Sequence, residues 1–278
     1  MAEPAAVRRD AGEALLRQLE ARERTGLRVA IVAAHPDDET IGIGGSMALL
    51  EAPTLVLATD GAPRNPHYAL RNGFSSAAAY SAARRVELEA ALDASGARVR
   101  ILDLGLADQE TSMNLLLLVE RLVALFEAER FDVVVTQPYE GGHPDHDSVA
   151  FAVQLARDML QRRQRPCPAA VEMTSYHAGP MGEFLISCFL PNGPAPVTAR
   201  LSEAEQARKW QMFRCFATQQ RALKIFRPES ELFRLAPRYD FTRPPHAGGL
   251  HYERRNWGMQ GAEWRALAQR AAREMAEG

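Results

Sequence analysis

Val29-Ala30-Ile31-Val32-Ala33-Ala34-His35-Pro36-Asp37-Asp38-Glu39 joins six apolar residues to an imidazole and three carboxylates with no spacer between them. A short apolar run rich in β-branched residues reads as a strand buried on both faces. A second apolar run, Val133-Val134-Val135, is followed within ten residues by His143-Pro144-Asp145-His146-Asp147. In an open parallel sheet, ligands gather beyond the carboxyl ends of the strands. Two turns rich in metal-binding side chains, at equivalent ends of two strands, therefore read as halves of one site.

Working outward from these turns, short β-rich runs at 28–34, 54–59, 98–102 and 132–136 alternate with helical stretches at 42–51, 76–94, 112–129 and 146–163. This alternation predicts an α/β fold, a Rossmann-like, mostly parallel sheet with helices on both faces. Two more strands are expected at 169–175 and 184–190. Ser202-x-x-Glu205 is a capping box that opens a helix running to about Gln219. The stretch 226–258 is rich in proline, arginine and aromatics and is expected to be irregular but packed, and a closing helix is expected at 261–276. At the other end, residues 5–24 form an amphipathic helix carrying Leu15, Leu16 and Leu19. The organisation expected is an N-terminal helix (1–25), an α/β core (26–200) and a C-terminal extension packed on it (201–278).

The chain has 278 residues, 46% apolar and 24% charged, with a formal net charge of −2. That balance gives no electrostatic case for a nucleic-acid partner. Cys167, Cys188 and Cys215 are odd in number and contain no C-x-x-C pair, which argues against a disulfide framework and for a reducing compartment. The N-terminus lacks the apolar core of a signal peptide, and Leu115 to Phe126 is too short to span a bilayer. A cytoplasmic location and no membrane span are the expectations; the sequence leaves a homo-oligomer open.

His35 and Asp38 stand three apart across a proline-stiffened turn, and His146 offers a third ligand from the second turn. Two histidines, one carboxylate and an open position form the arrangement of catalytic zinc, with Fe2+ and other divalent ions as alternatives. Binding lowers the pKa of water from about 15.7 to about 7, favouring hydroxide by on the order of 12 kcal/mol. Asp37, beside the ligand Asp38, is the candidate general base. His143, if protonated, would stabilise an oxyanion and donate a proton to a leaving amine. Asp145 is expected to orient that imidazole and raise its pKa.

His-Pro-Asp-Asp-Glu followed about a hundred residues later by His-Pro-Asp-His resembles the PIG-L/LmbE-like zinc-dependent N-deacetylases. The resemblance covers roughly residues 27–150. It implies zinc on His35, Asp38 and His146, with Asp37 as base and His143 as the oxyanion and acid group. Arg84-x-x-Glu87, leading to Gly96, looks like the family helix whose arginine faces substrate. Asp108 is similar to a carboxylate that contacts a sugar hydroxyl in some members. The sequence departs from the family at Ser95, where leucine is usual, and at Asp60-Gly61, where Gly-Glu is commoner. The implied activity is removal of acetyl from an N-acetylglucosamine-type sugar or glycoconjugate, giving acetate and a free amine. The rival readings are an amidase of a thiol or amino-acid conjugate and a catalytically silent sugar- or nucleotide-binding protein.

Weaker signals complete the reading. Gly42-Ile43-Gly44-Gly45 is not the dinucleotide fingerprint, and its glycines are read as close helix packing beneath the metal turn. Arg64 and His67 lie in a loop after the second strand where they face either substrate or solvent, and Arg64 is taken as a candidate substrate contact. Tyr139 and Glu140 are candidate cleft walls, and His177 a satisfied loop histidine. The arginines and aromatics between Arg221 and Trp257 are read first as a self-packed extension or subunit contact, with a substrate lid as the alternative.

Overall fold

The computed structural model describes residues 6–277. In chain order its elements are α1 (Ala6–Ala21), β1 (Val29–Ala33), α2 (Asp38–Ile43), β2 (Thr54–Thr59), α3 (Pro66–Arg71), α4 (Ala77–Ser95), β3 (Arg100–Leu106), α5 (Leu115–Glu129) and β4 (Val133–Thr136). There follow α6 (Pro144–Arg162), β5 (Ala169–Met173), β6 (Tyr176–Ala178), β7 (Phe184–Ile186), β8 (Val197–Arg200), α7 (Glu203–Cys215), α8 (Gln220–Leu223), β9 (Ser230–Leu235), α9 (His251–Arg254) and α10 (Gly261–Glu277).

Seven strands form one sheet in the order β3-β2-β1-β4-β5-β9-β8. The first five are parallel, while β9 and β8 add antiparallel. The α/β, mostly parallel fold expected from the alternation is the one observed. Both faces are covered, so the parallel strands are apolar throughout rather than alternating. On one face Ala30, Val32 and Val134 pack with α5, α6 and α10 through Leu122, Phe126, Phe151 and Trp264. On the other, Ile31, Ala33 and Val135 pack with α1, α4 and α7 through Leu15, Leu19, Leu88 and Phe213.

Four expectations need correcting, and residues 1–5 and 278 of the expected terminal segments lie outside the described residues. The helix placed at 42–51 begins instead at Asp38, inside the metal turn, where Asp38 and Glu39 suit the positive end of a helix. A separate 3-10 turn covers Met47–Leu49. The strand expected at 184–190 is short and pairs with β6 in a separate hairpin. The helix from Ser202 stops at Cys215, four residues early, although its capping box is present. Finally, 226–258 contains β9, which lies between β5 and β8. A boundary at 200/201 therefore cuts through the central sheet.

Charge pairing explains why β9 can be central while carrying polar residues. Glu231 receives Lys209 Nζ at 2.6 Å, the Gly45 N–H at 2.7 Å and the Ser46 hydroxyl at 2.6 Å. Arg234 donates to Glu172 at 2.7 Å and to the Leu190 carbonyl at 2.9 Å. A Cβ at Gly45 would collide with Leu201, and one at Gly42 with Met173. The glycine cluster thus lets α2 and its exit turn approach β5 and β9, which is the packing role read from the sequence.

Candidate metal centre

Strand order reverses between β1 and β4, the switch point at which an open sheet leaves a crevice. Both ligand-rich turns leave the sheet there. The donor atoms of His35, Asp38 and His146 all lie within 4.8 Å of one another, and all three residues are buried. Asp38 is the hub: His35 Nδ1 stands 3.1 Å from its Oδ2, and His146 Nε2 stands 3.2 Å from its Oδ1. Asp38 also caps the turn by accepting the His35 backbone N–H at 2.8 Å.

The chemistry of these donors fits a cation. Asp145 Oδ2 lies 3.1 Å from His35 Nε2, so Nε2–H donates to Asp145 and Nδ1 is the nitrogen turned to Asp38. His146 Nε2 is buried without a hydrogen-bond partner. Burial works against a charged His35, but Asp108, Asp145 and Asp38 outweigh it and raise its pKa well above the usual imidazole range. Burial likewise opposes ionised Asp38, yet His146 and His35 hold its carboxyl well below the usual range. The pocket is thus built to hold positive charge. Two imidazoles and a carboxylate suit zinc and, less specifically, Fe2+.

A second group of donors, His35, Asp108, His143 and Asp145, also converges within 4.8 Å. Its Asp145 carboxylate is already engaged by His35, by the Gln109 N–H at 2.7 Å and by the Thr111 hydroxyl at 2.5 Å. These contacts make it the support of His35. This differs from the role expected for Asp145, because its carboxylate stands 3.9 Å from His143 Nδ1. What His143 receives is the Asp145 backbone N–H, at 3.1 Å to Nδ1, as the side-chain cap of α6. That bond fixes Nε2–H as the free donor of a neutral ring. Burial, followed by the nearby His35, pushes the His143 pKa down to about 3. The protonated His143 of the sequence reading is therefore replaced by a neutral one.

Asp37 sits at φ 142°, a left-handed backbone that β-carbon sterics disfavour. Glu39 holds it there by accepting its N–H at 3.0 Å. Burial, only partly offset by Arg84, raises the Asp37 pKa to about 8. Arg84 is buried and donates to the Gly61 carbonyl at 2.6 Å, the Pro36 carbonyl at 2.7 Å and Asp37 at 3.1 Å. Instead of facing open space, it clamps the first turn. Asp108 stands 3.2 Å from His35 Nε2 and is buried.

Arg64 is apart from this cluster: it pairs with Asp60 at 2.8 Å on the wall of a cavity of about 530 Å³. His67 is exposed on α3. Tyr139 and Glu140 are buried structural residues, the first donating to the Arg243 carbonyl and the second accepting from the Leu190 N–H. His177 is held between the Ala178 and Cys188 carbonyls.

Residues distant in sequence complete the mouth. The Trp257 ring lies 4.8 Å from His143, Tyr176 lies 5.4 Å from His146, and His251 lies 5.5 Å from Tyr176. The remaining arginines and aromatics of this segment pack largely on the fold itself: Phe226, Phe233, Phe241 and Tyr252 are buried, and Arg238 pairs with Asp158. The aromatic richness of the segment was visible beforehand, but not which rings reach the centre.

Fold and site together define an α/β protein with a candidate divalent-metal centre at its switch point. Residues 30–156 match the family described as PIG-L, GlcNAc-PI de-N-acetylase. Over that stretch the chain is similar to the PIG-L/LmbE-like deacetylases. A probable N-acetyl-α-D-glucosaminyl L-malate deacetylase 2 of Bacillus cereus is 26% identical over 160 residues, 56% of this chain and 72% of that relative. Among solved structures, the A40926 pseudoaglycone deacetylase Dbv21 superposes with TM-score 0.58 at 21% identity, covering 78% of this chain and 99% of that one. The 4-carboxy-2-hydroxymuconate hydratase GalB of Pseudomonas putida KT2440 superposes with TM-score 0.53 at 20% identity, covering 77% and 98%. A deacetylase and a hydratase on one architecture show that the fold alone does not select the reaction.

Proposed function

We propose that this protein is a metal-dependent hydrolase, with zinc the leading candidate ion, that removes an acetyl group from an N-acetylated sugar or glycoconjugate. The observation that carries this reading is the convergence of His35, Asp38 and His146 beside a carboxylate raised in pKa and a neutral imidazole. Deacetylases among its relatives favour an amide over other carbonyl substrates.

The ion would be held by His35 Nδ1, Asp38 and His146 Nε2. When bound it supplies Lewis-acid polarisation of the amide carbonyl and lowers the pKa of water. Asp37 takes the proton of the attacking water and returns it to the leaving nitrogen, a shuttle suited to a carboxylate whose pKa lies near the working pH. His143 donates Nε2–H to the oxyanion without changing its own charge. Arg84 holds Asp37 in place, and Asp145 fixes the tautomer of His35. Asp108, near these groups, is a candidate for a substrate hydroxyl. Collapse breaks the C–N bond and gives acetate and a free amine.

The test is acetate release from a panel of N-acetylated sugars and amide conjugates by wild type and Asp37→Asn. Turnover of the acetylated sugars, lost in the variant while metal stays bound, supports the proposal. Turnover confined to other amides would move the substrate to the amidase reading. Binding without turnover would leave a silent sugar-binding protein.

A further inference from the structure

A cavity of about 340 Å³ is lined by α7 and α8 and by no residue of the metal centre. Its size falls within the range of about 300–1,000 Å³ typical of small-molecule sites. The two walls repeat one pattern. Trp210, Phe213 and Arg214 on one side, and Gln220, Leu223 and Lys224 on the other, stand at i, i+3 and i+4, which puts each trio on one helical face. Phe213 and Leu223 are buried and form the floor. Trp210 is half-buried, its ring 5.8 Å from that of Phe213 and edge-on to it. Arg214 and Lys224 are exposed, one on each wall.

The polar groups around this floor favour negative charge. Among the described residues no carboxylate pairs with Arg214 or Lys224. The carbonyls of Phe213 and Phe216 at the end of α7, which would repel an anion, accept the Gln220 side-chain amide at 2.7 and 2.9 Å. Arg227 donates to the Lys224 carbonyl at 3.2 Å and brings further positive charge. Glu87, the carboxylate at the α7–α8 junction, is committed to the Thr218 N–H at 2.9 Å and its hydroxyl at 2.6 Å. The chain as a whole carries a net charge of −2, so this positive rim is a local feature. An apolar floor between two uncompensated cations matches a ligand with an apolar body and one anionic head.

We infer that the α7–α8 groove is a second ligand site, which takes a small amphipathic carboxylate. The apolar body lies on Trp210, Phe213 and Leu223, and the head group sits between Arg214 and Lys224. Arg214 supplies a fork that matches the carboxylate, and Lys224 a point charge from the opposite wall. The site stands apart from the metal centre, so the inference does not depend on the deacetylase reading.

Calorimetry on the full chain loaded with metal tests this, using 2-naphthoate and octanoate, each beside its neutral amide. The expected result is that at least one acid binds about tenfold or more tightly than its amide. The tighter of the two acids identifies an aromatic or an aliphatic body. The preference for acid should fall toward one in the double variant Arg214→Gln, Lys224→Gln, survive in part in Arg214→Lys, and shrink with added salt. Both cations are exposed, so these variants leave the core untouched. Trp210→Ala should weaken acid and amide alike, by about tenfold. Asp38→Asn, altered at the metal centre, should bind the acids as wild type does. Equal binding of acid and amide, no binding of either acid, an unchanged preference in the double variant, or loss of binding in Asp38→Asn would overturn the inference. A mass that doubles with concentration in wild type but not in the double variant would assign the groove to a second copy of the chain, and would overturn it as well.

Discussion

The two turns that build the centre solve opposite problems. The turn after β1 crowds Asp37, Asp38 and Glu39 together, and one of them, Asp37, is held at a strained φ of 142°. The turn into α6 is regular: Pro144 occupies the first helical turn and His143 caps it with its own side chain. Burial pushes the Asp37 pKa up to about 8 and the His143 pKa down to about 3. Environments that drive neighbouring groups apart in this way assign the acid–base roles. On the proposed mechanism, the strained turn holds the group that moves a proton. On the same mechanism, the regular turn holds a donor whose charge stays constant.

The strongest way to break this contrast is Asp37→Asn. Loss of the base should lower kcat by ~10³-fold with metal content unchanged, read by acetate release and elemental analysis on one preparation. Next is His143→Ala, which should cost ~10²-fold in kcat by removing an oxyanion donor. The pH profile of wild type sharpens the same point. With a pKa of about 3, His143 is neutral at every pH well above that value, so it contributes no falling limb to kcat/KM between about pH 5 and pH 9. A protonated donor with an ordinary imidazole pKa would instead lose activity as pH rises through about 6.5. A cation at the triad favours deprotonated forms, which keeps this sign for His143 and moves the rising limb of Asp37 to lower pH.

Smaller effects concern support. Asp145→Ala should weaken metal affinity by roughly 10–100-fold by releasing His35, measured by competition with a chelating dye. Thr111→Val removes one of the hydrogen bonds to Asp145 and should cost only about fivefold in the same assay. No loss in Thr111→Val beside the full loss in Asp145→Ala would show that Asp145 acts by bulk charge and not by orienting a ring.

Much of this was legible beforehand for a physical reason. Strands β1 and β4 are buried on both faces and end directly in their ligands, so hydrophobic run and chemistry share one short stretch. The candidate metal triad followed from that adjacency. Strand β9 was hidden because Glu231 and Arg234, polar in sequence, are buried through partners at Lys209 and Glu172 that no local pattern reveals. Helix α2 was misplaced because its first turn consists of site carboxylates. The partner of Asp145 was misassigned since proximity along the chain favoured His143, whereas the fold brings its carboxylate to His35, 110 residues away. Trp257 and His251 carry no motif and reach the centre only through the path of the C-terminal segment.

The central claim is that His35, Asp38 and His146 hold one divalent ion on which Asp37 depends for its task. Elemental analysis of wild type, Asp38→Asn and Asp37→Asn after identical metal loading, paired with acetate release, tests it most directly. The account predicts about one ion per chain in wild type and in Asp37→Asn, a sharp loss in Asp38→Asn, and turnover in wild type alone. Full metal content in Asp38→Asn, or normal turnover in Asp37→Asn with its metal in place, would contradict it.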